Sequence, residues 1–241
     1  MRFASISCAA LGALFTAAAP LTALAQTEPL VFYGLQMEQL EYRAGDAGQD
    51  LLVWDGDAFV GTDEVRLRWE GNGEYDLNAD LFESATNQLS IQVPVSDFWD
   101  VKAGIRYDSP DGPDRWHGAV GISGLAPQWI EVDSSLYVSE KGDVSADLDL
   151  EYELLLTNYL TLIPSAEMSV AFSSDRERGV GSGLNSAEVG LRLSYDLWDR
   201  MLSPYVGVAY ERYFGETADF IREEGDEADM FSIVFGARLM F

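Results

Sequence analysis

The chain has 241 residues and a formal net charge of −26, from 41 acidic and 15 basic side chains, with one histidine and one cysteine. So acidic a chain repels nucleic acid and attracts cations, unless its carboxylates only keep surface loops soluble and off an anionic cell surface. The single thiol, Cys8, excludes a disulfide framework, so stability must come from hydrogen-bonded strands and burial.

Residues 1–25 read as a secretory signal peptide. Arg2 gives a basic start, Ile6 to Ala19 an apolar stretch, and Ala23-Leu24-Ala25 a small-x-small cleavage site of the Sec type before Gln26. Cys8 falls inside this segment, with too little apolar sequence before it for a lipidation site. That leaves 26–241 as one domain. No later segment approaches the roughly 18 apolar residues of a spanning helix, which excludes a helical membrane protein but not a barrel.

From Leu30 onward the pattern has period two. A first hairpin is expected over Leu30 to Arg43 with Leu51 to Trp54. About ten strands follow from Thr62, giving about twelve in all, with ten as the alternative. Tyr75 to Val93 exceeds one straight strand, and a bulge is expected near Phe82 to Ala85. Phe98 to Asp108 sets Trp99, Val101, Ala103, Ile105 and Tyr107 against Asp100, Lys102, Arg106 and Asp108. Asp143 to Thr157 carries Val144, Ala146, Leu148, Leu150, Tyr152, Leu154 and Leu156 on one side, and Ser145, Asp147, Asp149, Glu151 and Glu153 on the other. A carboxylate face of that kind cannot be buried dry and must see water. Ala187 to Trp198 repeats the arrangement.

The last strand, Phe231 to Phe241, places Phe231, Ile233, Phe235, Ala237, Leu239 and Phe241 opposite Ser232, Gly236 and Arg238. Its terminal aromatic resembles the insertion signal of bacterial outer-membrane proteins. Short connections near 94–97, 126–127, 157–159 and 199–203 alternate with longer ones near 108–114, 139–142, 173–183 and 216–230. The whole reads as an all-β, transmembrane, antiparallel up-and-down barrel in the outer membrane of a Gram-negative bacterium. Its expected partners are membrane lipid and lipopolysaccharide, and it is expected to be monomeric. Trp54, Trp69, Trp99, Trp116, Trp129, Trp198, Tyr205, Tyr213 and Phe214 are expected to form interfacial girdles.

Extending each register inward places Asp76, Asp80, Asp100, Asp108, Glu131, Asp133, Asp147, Asp149, Glu151, Glu153, Glu167, Glu188 and Glu211 in the lumen. Arg66, Arg68, Lys102, Arg106, Arg115, Arg192 and Arg238 share it. These groups either form a cation-selective path or pair into a ladder that plugs the barrel.

Several segments go beyond pattern. They include Phe32-Tyr33, Glu38-Gln39-Leu40-Glu41-Tyr42, Leu52-Val53-Trp54-Asp55, Phe98-Trp99-Asp100, Gly104-Ile105-Arg106-Tyr107-Asp108 and Gly124-Leu125-Ala126-Pro127. Later come Glu151 to Thr157, Gly181 to Leu184, Gly190 to Leu193, Pro204 to Val208 and Gly215 to Asp219. In order and spacing, across roughly 30–241, they resemble the copper-resistance protein B family of outer-membrane proteins. The resemblance implies a non-enzymatic barrel that binds or handles copper ions, in homeostasis or resistance, alongside periplasmic copper proteins. Many members carry a Met- and His-rich segment before the barrel; here none separates Gln26 from the first strand, so a high-capacity copper sponge is not expected.

Candidate metal ligands are His117, Met37, Glu131, Asp133, Asp147, Asp149, Glu151 and Glu153. A lone imidazole needs companions, and Met37 reads equally as a wall residue. A hydrolase would have to use His117 with Asp114 or Asp111, and no serine sits in a nucleophile motif. The glycines Gly179, Gly181 and Gly183 precede no helix, so a phosphate cradle is not expected. A generic cation porin, a structural barrel and a soluble calycin-like barrel are the remaining alternatives.

Overall fold

The computed structural model describes residues 30–46, 48–109 and 112–241. The proposed signal peptide with Cys8, and Asp111, lie outside the described residues. The strands are β1 (Phe32–Gly45), β2 (Asp50–Gly61), β3 (Arg66–Asp76), β4 (Leu81–Pro94), β5 (Trp99–Ser109), β6 (Arg115–Ala126), β7 (Ile130–Ser139), β8 (Val144–Tyr152), β9 (Leu154–Leu155), β10 (Leu160–Ala171), β11 (Gly183–Tyr195), β12 (Leu202–Tyr213) and β13 (Asp229–Met240), with one helix, α1 (Gly215–Glu224), before β13.

Neighbours in sequence pair antiparallel, β13 closes onto β1, and β8 and β9 both pair with β10 as two pieces of one crossing interrupted at Glu153. The result is a closed barrel of 12 crossings. Closure leaves no free edge, which a lipid environment requires because no water is there to satisfy one. The seam is completed by the last residue: Leu35 N–H donates to Phe241 O at 3.0 Å, and Phe241 N–H donates to Leu35 O at 2.9 Å.

The outer wall is apolar around the ring. Leu52, Leu67, Ile91, Ile105, Val120, Val189, Leu191, Ile233 and Phe235 are all exposed. Inside, the most buried groups include Glu41 at 1% exposure, with Arg43, Lys102 and Arg192 at 3% each. A soluble barrel would have the opposite polarity, so the calycin-like alternative is discarded. Trp129, Trp198 and Tyr159 project at the end with the short turns, and Trp116, Phe82 and Tyr107 lie at the end with the longer loops.

Four expectations are corrected. Tyr75 to Val93 is not one bulged strand: β3 ends at Asp76, a turn covers 77–80, and β4 begins at Leu81. The slip in pairing does fall between Glu74–Ser84 and Tyr75–Phe82, inside the expected stretch. Asp80 sits in that turn at φ 58° and accepts from the Tyr75 hydroxyl, so it belongs to the rim and not the lumen. Tyr205 is no girdle residue; its ring is buried and its hydroxyl donates to Glu41. Tyr213 follows the same inward register on β12, two residues beyond Glu211.

An arginine on the lipid face tests this assignment of faces. Val189→Arg is expected to cost about 2–4 kcal/mol in reversible unfolding from lipid vesicles. A loss below about 0.5 kcal/mol would mean the outer wall does not contact hydrocarbon.

Candidate functional site

The lumen is crossed by ion pairs in tiers. Near the turn end, Arg238 reaches Glu151 at 2.5 Å and Glu153 at 3.2 Å. At the middle, the Glu41 carboxylate accepts from Arg43 at 2.7 Å, from Arg192 at 2.9 and 3.0 Å, and from the Tyr205 hydroxyl at 2.8 Å. Arg43 also holds Glu188 at 2.6 Å. Gly236 makes this packing feasible: a Cβ there would lie 2.6 Å from the Tyr205 ring and 2.8 Å from Glu41 Cβ. On the facing wall, Lys102 bridges Glu70 and Asp133 at 2.8 Å each. Toward the loop end, Arg106 joins Asp108 at 2.6 Å and Asp147 at 2.8 Å, and stacks over Tyr137.

Acid outnumbers base in this lumen, and the surplus is organised. Asp133 lies opposite Asp149, Asp149 opposite Glu167, Glu167 opposite Glu188, and Glu188 opposite Glu211. These five carboxylates form an unbroken row across β7, β8, β10, β11 and β12. Lys102 neutralises one end of the row and Arg43 holds Glu188. Among the described residues, Asp149, Glu167 and Glu211 have no cation within ion-pair distance, nor do Glu38 and Asp55 on the other side of the lumen. Directly opposed like charges destabilise a sheet by up to about 1 kcal/mol per pair. When ionised, the row therefore opposes folding, and a bound cation would relieve it.

Asp149, Glu167, Asp55 and Glu38 line a cavity of about 500 Å³ that reaches from the middle of the barrel to the loop end. Asp149 is exposed to it, so this part of the lumen is wet. Among the described residues, no three carboxylates or imidazoles converge closely enough to hold a dehydrated metal ion. Oxygen donors at this spacing suit a hydrated cation.

Of the sequence candidates, Asp133, Asp147 and Asp149 line this cavity. Glu151 and Glu153 are taken by Arg238 at the turn end, and Glu131 pairs in register with Glu151 beside them. His117 also lines the cavity, but its Nδ1 lies 3.7 Å from Asp108, whose carboxylate is shared by Arg106 and Arg178. Two guanidinium groups beside it disfavour a metal ion there. Met37 turns outward against Gly56, away from the carboxylates.

Glu38, Glu41, Arg43, Asp55, Asp57, Glu70 and Glu74 also face the lumen and are not among the inward residues expected from the sequence. For β1 the reason is a pairing slip between Met37 and Gln39, after which the inward positions change parity. Asp55 and Asp57 were missed because β2 was ended at Trp54, whereas it runs to Gly61. Glu70 and Glu74 share parity with Arg66 and Arg68, a signal that was available.

The closed wall, charged lumen and terminal seam define an outer-membrane-type β-barrel. Its fold is similar to that of the NanC porin, at 12% identity and a TM-score of 0.50 over 86% of this chain and 99% of that one. The family model described as copper resistance protein B precursor (CopB) matches residues 31–241. The chain belongs to that family. A copper resistance protein B homolog of Pseudomonas syringae pv. tomato is 35% identical over 209 residues, 85% of this chain and 68% of the relative. Copper resistance protein B of Escherichia coli is 34% identical over 87% of this chain and 69% of its own length.

Removing the carboxylate at the hub tests the ladder. Glu41→Ala leaves Arg192 and the Tyr205 hydroxyl without their shared acceptor and is expected to cost about 3–5 kcal/mol in denaturant unfolding. A cost under about 1 kcal/mol would show that the tier contributes little to the barrel's stability.

Proposed function

We propose that this protein handles copper at the outer membrane, in homeostasis or resistance, by binding hydrated Cu(II) transiently along its acidic lumen. The row from Asp133 to Glu211 carries this reading, because it places unneutralised carboxylates side by side along a wet wall. Family membership supports copper as the ion. The donor chemistry supports Cu(II): carboxylates are hard oxygen ligands, whereas Cu(I) prefers thioether and thiolate. The ion is cargo in this reading, held loosely enough to leave.

Among the described residues, His117 is not joined to Asp114 in a hydrolase pair. His117 neighbours Asp108 and Tyr137, and Asp114 accepts from the Tyr107 hydroxyl. In this role the barrel works as a monomer among lipid and lipopolysaccharide, exchanging copper with periplasmic copper proteins. A second reading, a general divalent-cation pathway, is favoured by the same oxygen donors, since carboxylates do not by themselves distinguish copper from calcium or magnesium.

Calorimetric titration of the purified barrel with Cu(II) tests both. Wild type is expected to bind with a Kd on the order of 10⁻⁴ to 10⁻³ M, as for loosely organised carboxylate sites. The variant Asp149→Asn/Glu167→Gln is expected to bind at least about tenfold more weakly, or 1.4 kcal/mol. Equal binding by the variant would remove the row as the site. Equal affinity for Ca(II), Mg(II) and Cu(II), with no change in cellular copper when the protein is deleted, would favour the general pathway.

A further inference from the structure

The segment between β10 and β11, residues 172–182, does not stand out from the barrel. It folds over the lumen, and Ser173, Asp175, Arg178 and Val180 line the roof of the central cavity. Its ties are charged and reach across the ring. Arg115, 3% exposed at the start of β6, grips Asp175 at 3.0 Å and Glu177 at 2.8 Å. Arg178 points down to the lumenal Asp108 at 3.3 Å. Lys141, in the β7–β8 connection, adds a second hold on Glu177. The loop between β10 and β11 is thus tied to its neighbour β8 through Ser173, which accepts from Val144 N–H and donates to Asp143, and reaches beyond it to fasten onto β5 and β6. On its other side it is backed by α1: Ser174 donates to Glu216 at 2.9 Å, and Gly181 N–H donates to the Thr217 hydroxyl at 2.9 Å.

We propose that residues 172–182 are a strap that closes the loop end of the lumen, and that Arg115 and Arg178 are the pins that hold it shut. Two observations point the same way. Arg115 is a buried cation whose acid partners among the described residues, Asp175 and Glu177, both come from the strap, so it positions the strap and not the wall. Gly112, at φ 74°, has no side chain, and a Cβ there would come 2.8 Å from the Glu177 carbonyl. At Gly112 the backbone is therefore shaped to receive the strap.

The pins set the conditions for release. Hydrogen bonds from Lys141 and Arg115 hold the Glu177 carboxyl below the usual carboxylate range. A depressed carboxylate contributes while the pH stays above its ordinary value and is lost as the pH falls through its lowered one, so this pin persists at neutral pH and weakens only in acid. High salt weakens the exposed Lys141–Glu177 contact first, because that pair is in solvent. Neither condition involves copper, and the strap stands independently of what the lumen carries.

Accessibility of the cavity from outside tests it. Ser169→Cys places a thiol in the cavity beneath the strap, and Ser203→Cys places one near the turn end, each in a Cys8→Ser background. A positively charged methanethiosulfonate is applied to the folded barrel in detergent. The expected result is slow labelling of Ser169→Cys with the pins intact and at least about tenfold faster labelling in Arg115→Gln/Arg178→Gln. The Ser203→Cys rate is expected to stay unchanged. Asp175→Asn/Glu177→Gln/Arg178→Gln breaks both pins from the strap side, since Arg115 holds Asp175 and Glu177 while Arg178 holds Asp108, and serves if the arginine variant does not fold. Equal Ser169→Cys rates with and without the pins would overturn the proposal. So would an acceleration of Ser203→Cys as large as that of Ser169→Cys, which would indicate general loosening.

Discussion

Two environments cannot share one face of a strand. On β8, Asp147, Asp149 and Glu151 alternate with Leu148 and Leu150, and the same alternation recurs around the ring. Carboxylates in a dry medium are prohibitive, and unpaired backbone in hydrocarbon is equally so. A closed cylinder with water inside and lipid outside satisfies both. The seam between β1 and β13, finished by the backbone of Phe241, makes the cylinder possible.

Enclosing so many carboxylates creates a second problem, which the barrel solves only in part. Arginines and one lysine settle into tiers around Glu41, Asp133 and Asp147. There are too few of them to neutralise the row from Asp133 to Glu211: among the described residues, Asp149, Glu167 and Glu211 have no cation within ion-pair distance. A purely structural lumen would be more stable with glutamine or serine at Glu167. Retaining acid there is consistent with a cation as the missing partner. The strap, with Arg115 and Arg178, then governs whether that row is reached from the loop end.

Much of the architecture was legible in the sequence because period two survives wherever a wall separates lipid from water. Asp143 to Thr157 and Phe231 to Phe241 announced their faces directly. Legibility failed where alternation breaks. The slip at Met37 reverses parity in β1 and conceals Glu41 and Arg43, while the turn at 77–80 was concealed within Tyr75 to Val93. Tyr205 was misplaced because aromatics near strand ends suit a girdle, although it shares parity with the inward Glu211. The carboxylate row was out of reach for another reason: each member was recognisable alone, but their alignment depends on the register of five strands, which only the folded structure supplies.

Tension within that row is tested most directly by stability without metal. At pH 10, where the row is ionised, and with chelator present, Glu167→Gln removes two like-charge contacts and is expected to stabilise the barrel by about 1 kcal/mol in denaturant unfolding. A variant less stable than wild type under those conditions would show that the carboxylates are already satisfied, and would contradict the claim that they await a cation.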